Sequence, residues 1–139
     1  MFETVVVGPD DSPTSVKAFD AAVALVKISG GTLHIVTGYK PAARSTAGVP
    51  AEFSGSIRPD SHVLSVLADL SSRARTQAVA VETHDTKGDP AEGIQGVADK
   101  VGADLIVVGS QGMERRVLGS IPNSIAHGAR CAVLIVKTD

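Results

Sequence analysis

The chain has no tryptophan, one tyrosine, three phenylalanines and a single cysteine among its 139 residues. A lone thiol, Cys131, cannot close an internal disulfide, so a disulfide-stapled scaffold is excluded. Basic residues are not in excess: 13 Lys and Arg stand against 15 Asp and Glu, and the formal net charge is -2. With no basic surplus to neutralise phosphates, a nucleic-acid binder driven by charge is excluded. No apolar stretch approaches the ~20 residues that a bilayer-crossing helix needs, so no membrane association is expected. The opening Met1–Val7 lacks a basic segment and turns at once into a β-branched run, so no signal peptide is expected and the expected location is the cytoplasm. What is present is 43% hydrophobic and 20% charged residues, the balance of a packed chain rather than a disordered one. Single cores run to about 100–150 residues, so residues 1–139 are expected to form one domain. A chain of this size buries roughly two thirds of its unfolded surface and needs no staples.

The hydrophobic period switches repeatedly along the chain. Val5-Val6-Val7 is a continuous β-branched run ending at Gly8-Pro9, as expected of a strand buried on both faces. Ser12 and Pro13 then have the character of an N-cap and first helical position. Val16, Phe19, Val23 and Val26 follow at helical spacing until Gly30-Gly31. Leu33–Val36 is a second strand running towards Thr37-Gly38-Tyr39. Residues 40–59 hold Pro41, Gly48, Pro50, Gly55 and Pro59 among small residues and predict a long loop. Both a functional lid and an insertion without a role are consistent with that composition. Helical spacing resumes through Val63, Leu64, Leu67 and Leu70, and Val79-Ala80-Val81 starts a third strand closed by the turn Lys87–Pro90. Ile94, Val97 and Val101 share a helix face, Leu105–Val108 is a fourth strand, a helix begins around Ser120–Pro122, and Ala132–Val136 is a fifth strand. Every strand is thereby expected to be a solid apolar run. Strands alternating with helices imply an α/β fold: one open five-stranded parallel sheet, Rossmann-like, with helices on both faces and right-handed crossovers.

Ligands of open α/β sheets bind beyond the carboxyl ends of the strands, where the winding reverses. Gly8-Pro9-Asp10-Asp11-Ser12 follows the first strand, and Gly109-Ser110-Gln111-Gly112 follows the fourth, with Gly119-Ser120 opening the next helix. Glycines let backbone N–H groups approach an anion, and a helix start at Ser120 adds unpaired N–H groups and the positive end of its dipole. Gly109, Gly112, Gly119 and Ser120 together suit phosphate oxygens; they equally suit tight turns and a helix cap. No lysine stands between Gly119 and Ser120, so the segment is not a P-loop.

Val7–Ser15 resembles the V-G-x-D-G-S-x-x-S opening of the universal stress protein family, and Gly88–Glu92 resembles its segment before the third helix. Asp104–Gly112, with Leu118–Pro122, is similar to the glycine motif of the family's ATP-binding branch, and Cys131–Lys137 to its last strand. The resemblance runs in order over nearly the whole chain. It implies strand order 3-2-1-4-5, in the arrangement of the adenine-nucleotide alpha hydrolases, and a stress-response regulator that binds an adenine nucleotide. By that resemblance Pro9, Asp10 and Gly38 surround adenine and ribose, with Val108 and Gly109 closing the ribose side. Gly112, Gly119, Ser120 and Ile121 hold the phosphates. ATP, with or without magnesium, is the implied ligand. Two departures stand out. Asp11 occupies a position where the family often has glycine, and the Gly112–Gly119 gap is shorter than the ATP-binding pattern by about one helical turn. Arg115 and Arg116 lie in that shortened loop, as phosphate contacts or as a solvated basic turn, and cyclic AMP or AMP becomes the alternative ligand. The resemblance further implies a homodimer through the last strand, Ala132 to Lys137.

A phosphoryl-accepting receiver domain finds loose counterparts in Asp10, Asp11, Asp85 and Lys137, but it leaves the glycine loop unexplained and needs a further helix after the fifth strand. A nucleotide-free interaction module would retain only the fold. For enzymes, His34, His62, His84 and His127 form no metal-ligand spacing with Cys131, which suits packing at a strand start better than nucleophilic attack. His127 is expected on a helix surface. No catalytic residue can be named; slow ATP hydrolysis aside, binding rather than catalysis is the expectation.

Overall fold

The computed structural model describes residues 2–8, 16–39, 61–110 and 120–137. Its elements are β1 (Thr4–Val7), α1 (Val16–Ser29), β2 (Thr32–Tyr39), α2 (Ser61–Thr76), β3 (Ala80–Lys87), α3 (Pro90–Val101), β4 (Leu105–Gly109), α4 (Ser120–Gly128) and β5 (Ala132–Val136). The five strands form one parallel sheet in the order β3-β2-β1-β4-β5. The Ser12–Pro13 helix start and the 40–59 loop lie outside the described residues.

β1 is the central strand, and its Val5, Val6 and Val7 have no solvent exposure. Alternation along the strands divides the core in two. Val5, Val7, Leu33, Ile35, Leu105 and Val107 face α1 and α2, where Phe19, Val23, Val26 and Leu70 pack on them. Val6, Val36, Ile106 and Val108 face α3 and α4, where Ile94, Val97 and Ile125 cover them. A sheet walled on both faces must present apolar groups to both, and β1 and β4 therefore appear as unbroken runs.

β3 departs from that rule. Its sequence is AVETHDTK, and only its first third is apolar; it is the sheet's edge, with Glu82, Thr83, Asp85 and Lys87 exposed. Polar and charged side chains on an edge discourage unwanted strand pairing. The expected solid apolar run therefore holds for β1, β4 and β5, is interrupted by His34 in β2, and fails at this edge.

The amino edge of the sheet is fixed by hydrogen bonds. The Asp104 carboxylate accepts from Glu3 N (3.1 Å) and Thr4 N (3.3 Å), joining the start of β4 to the start of β1. The Glu3 carbonyl accepts from Thr32 N at 2.8 Å. Gly31 passes so close to Glu3 that an added Cβ would lie on that carbonyl, which is why the turn into β2 uses glycine.

Candidate functional site

The winding reverses between β1 and β4, so the crevice at their carboxyl ends is the topological switch point. Gly8 leaves β1 there, donating from its N–H to Val107 O at 3.3 Å, and Ser110 leaves β4 donating to Val136 O at 2.8 Å. A Cβ on Gly8 would fall inside the Ile94 side chain, so this glycine lets α3 press against the end of β1. Its role is helix packing beside the crevice.

The α3 start is built for that proximity. Asp89 caps the helix, its carboxylate accepting from Glu92 N at 3.0 Å, and Pro90 occupies the first turn. Gly93 lies against Thr86 without room for a side chain. Thr86 is the register partner of Gly38, so this contact seats α3 over the carboxyl end of β2 and β3.

Five of the expected site residues are placed. Gly38 is near the end of β2, Val108 and Gly109 close β4, and Ser120 and Ile121 begin α4. All belong to the carboxyl edge of the sheet or to the helix entered from it. Val108 is buried with its side chain in the α3–α4 core, so only its backbone can meet a ligand. Ile121 likewise turns its half-buried side chain to that core, and its N–H belongs to the first turn of α4, where backbone donors have no partner within the helix. Pro9, Asp10, Asp11, Gly112, Arg115, Arg116 and Gly119 lie outside the described residues. Asp85, assigned a place after the third strand in the receiver reading, lies instead inside β3 opposite Thr37.

Cys131 is half-buried against the α3–α4 core. Burial first, then the carboxylates of Asp104 and Asp99, push its thiol above the ordinary range. A thiol held protonated is a poor nucleophile, in keeping with a packing role. His127 is exposed in the last turn of α4, as expected of a helix-surface residue. One association escaped sequence reasoning: His34 and His84, fifty residues apart, meet on adjacent strands with Nδ1 and Nε2 3.1 Å apart. The register of β2 on β3 is the missing signal, and spacing along the chain does not contain it. Among the described residues, no group of three or more His, Cys, Asp or Glu is arranged to hold a metal ion. No described helix is long and apolar enough to cross a membrane.

A five-stranded parallel sheet in this order, covered by helices on both faces, defines a Rossmann-like α/β domain. The pattern of the universal stress protein family matches residues 1–137. The chain belongs to the universal stress protein family. It is 34% identical to universal stress protein YxiE of Bacillus subtilis, over 99% of this chain and 100% of that protein. It is 33% identical to universal stress protein Rv1636 of Mycobacterium tuberculosis, over 99% of this chain and 97% of that one. Among solved structures, a universal stress protein in complex with cAMP superposes with a TM-score of 0.77 at 32% identity, covering 99% of this chain and 98% of the other.

Proposed function

We propose that this protein binds an adenine nucleotide in the crevice at the carboxyl ends of β1 and β4 and serves as a non-catalytic regulator of the stress response in the cytoplasm. The observation that carries the reading is that Gly38, Val108 and Gly109 stand at the carboxyl ends of β2 and β4, and Ser120 and Ile121 at the start of the helix that follows β4. The likeness to a relative solved with cAMP supports the same ligand class. In this reading Pro9, Asp10 and Gly38 take adenine and ribose, and the α4 start, with Gly112 and Gly119, takes phosphate. Backbone donors suit this task because they are fixed before the ligand arrives and carry no side-chain entropy.

A single phosphate fits the shortened Gly112–Gly119 segment best, which favours cAMP or AMP. ATP, with or without magnesium, is the second reading, supported by the retained glycines and by Arg115 and Arg116 as further phosphate partners. Isothermal calorimetry with cAMP, AMP and ATP decides between them. The monophosphates are expected to bind more tightly than ATP, and Gly119→Val to weaken whichever binds. A preference for ATP would establish the triphosphate reading, and no binding by any of the three would refute nucleotide recognition.

The outermost strand β5 suits pairing with a second copy. It is a five-residue apolar run at the sheet edge, and its Leu134 remains 37% exposed. An unpaired apolar edge is a template for another strand, and a homodimer through Ala132 to Lys137 covers it.

A further inference from the structure

His34 is a buried histidine, 5% exposed. Its register partner on β1 is Val6, and alternation along β2 puts it on the same face as Val36, the face covered by α3. Its register partner on β3 is Glu82, and His84 stands two residues further along that strand, on the same face. The His34 Nδ1 lies 3.1 Å from His84 Nε2 and 3.6 Å from Glu82 Oε2. One atom therefore faces two partners with different requirements.

An imidazole–imidazole hydrogen bond needs one proton in the gap, with one nitrogen donating and the other accepting. A neutral pair satisfies this, and so does a pair carrying one positive charge. Two charged rings each place a hydrogen in the gap, and the bond becomes a repulsion. Glu82 is an acceptor only, and it suits Nδ1 best when that nitrogen carries a hydrogen and the ring a charge.

Among the described residues, the decision rests with these three groups. The α3 residues buried over the sheet are Ala91, Ile94, Val97 and Ala98, whereas its Glu92, Asp99 and Lys100 are exposed. Asp85 and Lys87 alternate to the opposite face of β3, and Val6 on β1 is apolar. Burial holds the His34 imidazole below its ordinary value, opposed by Glu82, which raises it, and reinforced by His84, which lowers it.

We propose that His34 Nδ1 is a proton-operated latch between β2 and the edge strand β3, held by His84 while the pair carries at most one positive charge and passed to Glu82 when both rings are charged. The consequence falls on β3, which has strand neighbours on one side only. Acidification exchanges a bond to a half-buried ring for an ion pair with a carboxylate of the same strand that is 65% exposed, and it leaves two charged rings repelling each other between β2 and β3, so β3 loosens. The sign follows from linkage. The unfolded chain binds the His34 proton more readily than the folded one, so the stabilisation is complete above the ordinary imidazole range and is lost as the pH falls through the depressed folded-state value.

Imidazole ¹⁵N NMR titration, combined with amide hydrogen exchange of residues 80–87, tests the latch. In the unmodified protein, His34 is expected to charge below the ordinary imidazole range, with β3 amides losing protection relative to β1 over the same interval. In His84→Gln the facing charge is gone, so His34 should charge at higher pH and the acid-induced loss of β3 protection should disappear. In Glu82→Gln the second acceptor is gone, and His34 should charge at still lower pH than in the unmodified protein. Glu82 is exposed, so this variant folds and decides the matter by itself if His84→Gln does not. A His34 titration unmoved by Glu82→Gln, or β3 protection lost equally with and without His84, overturns the proposal.

Discussion

The glycines illustrate how differently one residue type is used. Gly31 is pressed against the Glu3 carbonyl, which accepts from Thr32 N, so a methyl group there must displace backbone. Gly96, exposed in the middle of α3, has nothing within 4 Å of where a Cβ would stand. Gly31→Ala is expected to cost about 1–3 kcal/mol, the usual penalty of forcing atoms into filled space. Gly96→Ala is expected to stabilise by about 0.5–1 kcal/mol through lower chain entropy and better helix propensity. Urea denaturation of both variants checks the pair, and equal effects would contradict the distinction. Sequence alone identifies both as glycine and separates neither, because the difference resides in a neighbour about thirty residues away in the chain. The same holds for Gly8, where a Cβ would meet the Ile94 side chain, a neighbour far away in the chain.

Among the elements, α2 ends under strain that its sequence does not relieve. Ala78 is left-handed at φ 61, and the chain closes by Val79 N donating to Ala74 O at 3.1 Å and Ala78 N to Arg75 O at 2.9 Å. That conformation costs a residue with a Cβ roughly 1 kcal/mol and costs glycine little. Ala78→Gly is therefore expected to raise the thermal midpoint, an effect read by calorimetry, and a lowered midpoint would contradict it. Gly102 shows the favoured solution at the end of α3, left-handed at φ 68. Most elements were legible in the sequence because their apolar periods are strong: β1, β4 and β5 hold unbroken runs, and Phe19, Val23 and Val26 repeat at helical spacing. β3 was legible only at its first residues. An edge strand buries little, so selection for apolar residues relaxes and the two-residue period fades into AVETHDTK. The His34–His84 contact was hidden for a related reason, since it depends on strand register and not on local pattern.

For the whole molecule, the two edges of the sheet have opposite characters. β3 is polar beyond Val81, while β5 exposes Leu134 within an apolar run, so a second copy is expected at β5 and not at β3. Leu134→Asp is expected to convert a dimer to a monomer in light scattering, with nucleotide affinity retained; a monomeric unmodified protein would remove the β5 interface. The site was legible to the extent that glycines and a helix start can be placed at strand ends. The sequence did not reveal that Val108 and Ile121 turn their side chains into the core and offer only backbone. Nucleotide recognition at the carboxyl edge is the central claim, and ¹H–¹⁵N spectra recorded during titration with cAMP test it most directly. The amides of Gly38, Gly109, Ser120 and Ile121 are expected to shift, with those of Glu3, Gly31 and Asp104 at the opposite edge unmoved. Shifts confined to the amino edge, or no shifts at saturating nucleotide, would contradict it.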